Sequence, residues 1–179
     1  MKEQENEASG VSPQVIALAG LAAEFCSLLE RCSSMQTREF CAGVVRYLPR
    51  IFATVNDIRP YGGEEGEETG MIYDTLDEAG YDAVLTPMAS AFGEYDMYLD
   101  TPVEDMRYSD TPVAVSLAEK LADIYQDMYN FADTVRQAPS DAIPLVLSEL
   151  KYRFDGFLSE SICDALRASN FIYRKQVLE

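Results

Sequence analysis

The 179-residue chain contains no histidine and no tryptophan. Without histidine there is no Ser-His-Asp or Cys-His nucleophile, no His-ligated zinc and no His-Glu-x-x-His helix. Most familiar hydrolase chemistry is thereby removed. A glycine-rich phosphate loop is missing too: Gly62 to Glu68 reads GGEEGEE, which offers carboxylates where a phosphate needs amides and lysine. The four cysteines, Cys26, Cys32, Cys41 and Cys163, form no Cys-x-x-Cys pair and are expected to be small buried hydrophobes of a cytoplasmic protein. The opening MKEQENEASG is acidic and lacks the basic-then-apolar order of an export signal. The most apolar run, Val15 to Leu29, is short for a membrane span and is interrupted by Glu24, so it reads as a buried helix.

Basic residues are scarce, 14 against 31 acidic ones, and the formal net charge is −17. Such a charge repels nucleic acid and anionic membranes, so neither is an expected partner. With 47% hydrophobic and 25% charged residues the chain has the composition of a folded domain.

The residues that are present repeat at helical spacing. Ser12 is a candidate N-cap with Pro13 at the first helical position, leading a stripe from Val15 to Leu29. Thr37 opens a second stripe from Phe40 to Val55, in which Pro49 predicts a kink or break. Met71 to Asp100 reads as two shorter helices parted near Gly80, with Pro87 a candidate start for the second. Asp-Thr-Pro-Val occurs twice, at 100 to 103 and at 110 to 113, and each copy reads as a helix start: Thr101 with Glu104 makes a capping box, and Asp110 or Thr111 caps a long helix opened by Pro112. That helix carries Val113, Leu117, Leu121, Ile124, Met128, Phe131 and Val135 on one face, and a C-terminal helical region with Gly156 as its bend completes the chain. No alternating strand pattern is evident. The expected class is all-α: residues 1–11 an acidic tail, and residues 12–179 one antiparallel helical bundle of about five to seven helices with an acidic loop near 60–70.

Charge is uneven along the chain. Residues 60–110 hold 14 acidic residues and a single basic one, Arg107, while Lys151, Arg153, Arg167, Arg174 and Lys175 cluster near the C-terminus. Pairing of the late arginines with the middle carboxylates is the simplest use of this asymmetry. Two functional readings follow. In the first, the acidic, tyrosine-rich middle, with Tyr95, Tyr98 and Tyr108, forms a surface for an unidentified protein or a second copy of the chain; the protein is non-enzymatic and needs no cofactor. In the second, Glu94, Asp96, Asp123 and Asp127 hold magnesium or manganese, possible ligands for a metal-dependent phosphohydrolase. Against the second, Asp123 and Glu119 fall toward the solvent side when the apolar stripe is centred on the core.

The stretches AFGEYDMYLD, SLAEKLADIYQDMYNF and LSELKYRFDGFLSESICDALRASNF resemble an uncharacterised family of bacterial helical proteins, domain of unknown function 5063. The likeness runs from about Tyr81 to Phe171 and is most specific at Leu121 to Met128. The resemblance implies an all-α fold and no established activity, cofactor or substrate. The resembled family often carries tryptophan and histidine near the position of Phe157 to Ile162; this chain has neither, so no role of theirs carries over.

Overall fold

The computed structural model describes residues 12–59, 71–100 and 111–178. Among these the chain forms six α-helices and one two-stranded antiparallel sheet, which agrees with the expected helical class: α1 (Pro13–Glu30), α2 (Thr37–Asn56), α3 (Glu78–Phe92), β1 (Met97–Asp100), β2 (Val113–Ser116), α4 (Leu117–Gln137), α5 (Ile143–Arg153) and α6 (Ser159–Leu178). The expected tail and the loop near 60–70 lie outside the described residues.

α1 starts as its sequence indicates, with Pro13 in the first turn and the Ser12 hydroxyl accepting the Val15 amide at 3.4 Å. By length and composition it is the one described helix apolar enough to cross a membrane. In the fold, however, Leu18, Ala22, Phe25 and Leu29 are buried, and the helix packs on α2 and α4. α4 lies at the centre of the packing, against α1, α3, α5 and α6, and it contributes Leu117, Leu121, Ile124, Met128 and Phe131 to the core. Three of the four cysteines are buried as expected; Cys163 is exposed.

Several expected boundaries are corrected. Pro49 does not break α2, which runs through it with the proline on the exposed side. Met71 to Asp100 yields one α-helix, not two. Gly80 belongs to the first turn of α3, where the Asp77 carboxylate accepts its amide at 2.8 Å, so this glycine is part of a start signal. Pro87 lies within α3, and the carbonyl that loses its partner belongs to Ala83, which faces solvent. Thr111 and Pro112 do not open α4. They precede β2, and the helix begins at Leu117, with Ser116 as its N-cap. Asp100 and Val113 are paired across the sheet. The repeat therefore begins on the last residue of β1 and ends on the first of β2, and its two copies flank the hairpin connection. The first copy's capping box at Thr101 to Glu104 lies outside the described residues.

Before α3 the chain crosses α4 and α5 without helical structure, held by buried side chains. Glu149 Oε2 accepts the amides of Met71 and Ile72, Thr134 Oγ1 accepts Tyr73 N at 2.8 Å, and Asn130 Oδ1 accepts Thr75 N at 3.1 Å and Leu76 N at 3.0 Å. These acceptors substitute for the backbone partners that a helix would supply.

α5 and α6 are joined by a π-helical turn, Phe154–Leu158. Val146, Leu150, Phe154, Leu158 and Ile162 are all buried and recur at every fourth position. In a regular helix of 3.6 residues per turn that spacing would drift around the cylinder. The wider π turn takes up part of the drift, so one seam faces the core across both helices.

Candidate functional site

The hairpin is positioned by the end of α3. Gly93, at φ +55°, occupies the left-handed region that suits glycine and turns the chain out of the helix. The next residues bring Asp96 to the start of α4. Its carbonyl accepts Leu117 N at 2.8 Å, its Oδ1 accepts Ala118 N at 2.8 Å and its Oδ2 accepts the Ser116 hydroxyl at 2.9 Å, while Ser116 Oγ accepts Glu119 N at 3.1 Å. Three amides of the first turn are satisfied, and a negative charge sits at the positive end of the helix dipole.

Beyond Asp96 the strand alternates. Tyr98 and Asp100 turn toward α6, whereas Met97 and Leu99 turn outward, 57% and 66% exposed. Arg167 of α6 donates to Asp100 at 2.6 Å and lies over the Tyr98 ring, 5.8 Å from its centre. Asp164, one turn earlier on α6, lies near Asp100 and accepts Lys120 Nζ at 3.3 Å. Burial and the Asp100 charge lift the Asp164 pKa, with Lys120 opposing them. Burial, helped by the two carboxylates, pushes the Tyr98 phenol up to about 12, and its hydroxyl is buried with no hydrogen-bond partner among the described residues. The expected pairing of late arginines with middle carboxylates thus holds for Arg167. Arg153 pairs instead with Asp127 and Glu149 of α4 and α5.

Between β1 and the C-terminal half of α6 runs a groove of about 280 Å³, with Ala168 and Ile172 on its helix wall, Met97 and Leu99 on its strand wall, and Phe171 at its rim, 62% exposed. Tyr95 and Tyr98, the predicted interaction residues, both line it; Lys175 Nζ stands 4.7 Å from the Tyr95 ring centre. Tyr108 lies outside the described residues. Sequence reasoning missed Met97, Leu99 and Phe171. The only signal was two four-residue alternations, Met-Tyr-Leu-Asp and Val-Ala-Val-Ser.

The four candidate metal ligands have separate placements. Glu94 is exposed on the groove rim, and Asp96 caps α4. Asp123 is exposed and accepts the Tyr81 hydroxyl at 2.7 Å. Asp127 is buried and accepts Arg153 Nη1 at 3.1 Å; burial raises its pKa against the pull of that guanidinium. Among the described residues no three acidic or cysteine side chains are grouped so as to hold a metal ion.

A crystal structure of protein BF1032 from Bacteroides fragilis is similar to this fold, with a TM-score of 0.73 at 24% identity over 90% of this chain and 92% of that one. No curated protein matches the sequence. The family model named Domain of unknown function (DUF5063) matches residues 9–174. With nearly its whole length covered by that match, the chain belongs to the DUF5063 family.

Proposed function

We propose that the chain is a non-enzymatic, cytoplasmic helical protein whose hairpin and α6 together bind another protein or a second copy of the chain. One observation carries this reading. Met97, Leu99 and Phe171, three large apolar residues each more than half exposed, line a single groove with half-buried tyrosines beside them. Clustered exposed apolar area rimmed by polar groups marks a binding surface, and tyrosine supplies contact area at small entropic cost. The magnesium- or manganese-dependent phosphohydrolase is the weaker reading. Asp96, Asp123 and Asp127 are already engaged by the α4 amides, Tyr81 and Arg153.

The test uses the full chain as bait beside a Leu99→Glu/Phe171→Glu double variant. Both positions are exposed, so the variant's melting temperature stays within a few degrees of the parent. Proteins retained by the parent are expected to be lost from the variant. Equal retention by both folded baits excludes this face as the interface.

A further inference from the structure

We propose that the groove receives an extended acidic segment of another protein, which adds to β1 as a third strand. This names the partner chemistry for the surface proposed above and rests on that reading.

The backbone carries the first part of the argument. The sheet register pairs Met97 with Ser116 and Asp100 with Val113, and the Leu117 amide donates to the Asp96 carbonyl at 2.8 Å. Antiparallel ladders alternate between bonded and non-bonded pairs, so the bonded pairs are Asp96 with Leu117, Tyr98 with Val115 and Asp100 with Val113. The N–H and C=O groups of Met97 and Leu99 therefore point away from β2, toward the other edge. Within the described residues nothing pairs with them there.

Natural edge strands are protected by lysine, proline, bulges or a covering element. Met-Tyr-Leu-Asp has none of the first three, its register is unbroken, and its two outward side chains are apolar and exposed. The groove beside it is lined by Met97 and Leu99, whose backbone groups the register turns to the free edge, and by Ala168, Phe171 and Ile172 of α6, which offer apolar contact to an added strand.

Charge selects the occupant. In a chain of net charge −17, residues 165–178 contain Arg167, Arg174 and Lys175 and no carboxylate. Arg167 is shared with Asp100, while Arg174 and Lys175 are exposed on the same helix. Glu94 is the opposing charge on the rim. In a segment alternating apolar and acidic residues, the apolar side chains lie beside Met97 and Leu99 on the outward face and the acidic ones on the α6 side, beside Arg174 and Lys175.

The test is fluorescence anisotropy with the full chain and two labelled octapeptides, one alternating valine with glutamate, the other valine with lysine. The glutamate peptide is expected to bind saturably, about tenfold more tightly than the lysine peptide, and to lose about tenfold in affinity with Lys175→Glu. Leu99→Pro removes an edge-facing amide while sparing the ladder, so it should abolish binding, whereas Leu99→Ala should retain most of it. Phe171→Ala, at an exposed position, gives an independent loss should Leu99→Pro disturb the hairpin. Three results overturn the proposal: tighter binding of the lysine peptide, no binding of either peptide, or equal binding by the proline and alanine variants. Sedimentation showing a dimer that Leu99→Pro dissociates would also overturn it, in favour of a second copy on the same edge. If neither peptide binds while the Leu99→Glu/Phe171→Glu bait still loses its partners, the surface stands and its occupant is not a strand.

Discussion

Asp164 is held between an attraction and a repulsion. Lys120 lies 3.3 Å from one oxygen, Asp100 shares its other side, and Arg167 and Tyr98 complete the surroundings from α6 and β1. Its folded-state pKa lies above the ordinary 3.8. A carboxyl raised on folding contributes stability that is complete below the unfolded value and is lost as pH rises through the folded one. Replacing it by asparagine removes that titration. Between about pH 4 and about pH 7 the urea midpoint of Asp164→Asn should therefore decline less, or rise more, than that of the parent, the two curves separating toward neutral pH. Curves that stay parallel would show that Asp100 and burial do not bear on this group. The pair was half legible from sequence: the charge asymmetry indicated Arg167 as a partner for the middle segment, yet no spacing rule places Asp164 beside Asp100, 64 positions earlier in the numbering.

At the scale of elements, the crossing before α3 depends on polar side chains whose sequence context gave no sign of their role. Asn130 is 2% exposed, and its Oδ1 is the acceptor for the Thr75 and Leu76 amides and the Thr75 hydroxyl, while its Nδ2 donates to Asp74. Asn130→Ala leaves these part-buried donors without their acceptor and should cost roughly 1–3 kcal/mol in urea unfolding. A loss below about 0.5 kcal/mol would mean that water replaces the side chain. Helical periodicity identified the apolar face of α4, because Leu117, Leu121, Ile124, Met128 and Phe131 repeat along it; Val113, expected on the same face, lies instead in β2 and is 51% exposed. Asn130, Thr134 and Asp127 are equally buried, but a polar residue at a helical position is read as solvated unless its partner is known. The hairpin was missed for a related reason. Four residues give only two periods of alternation, and Pro112 before β2 looks the same as a proline opening a helix.

For the whole molecule the governing quantity is charge. Fourteen of the 31 acidic residues fall in residues 60–110, and among the described residues the ion pairs, Arg167 with Asp100, Lys120 with Asp164, Arg153 with Asp127 and Glu149, Arg136 with Asp133 and Lys151 with Asp155, engage only some of the carboxylates. Repulsion among the remainder opposes compaction and is screened by salt. Raising sodium chloride from roughly 50 to roughly 300 mM should raise the melting temperature by a few degrees, as followed by circular dichroism. A fall would mean that the ion pairs outweigh the repulsion. The seam that joins α5 to α6 bears on a different property, tolerance of changes in chain length. The π turn carries one residue more than a regular helix would place there. Loss of Gly156, which is exposed with open space where a Cβ would stand, would close the turn to ordinary pitch and leave Leu158, Ile162 and Ala165 facing inward. The same loss in the middle of α4 would rotate half of its buried face by about 100° toward water. Length variation among chains of this architecture therefore has a natural place at this turn, and very little room in the central helix.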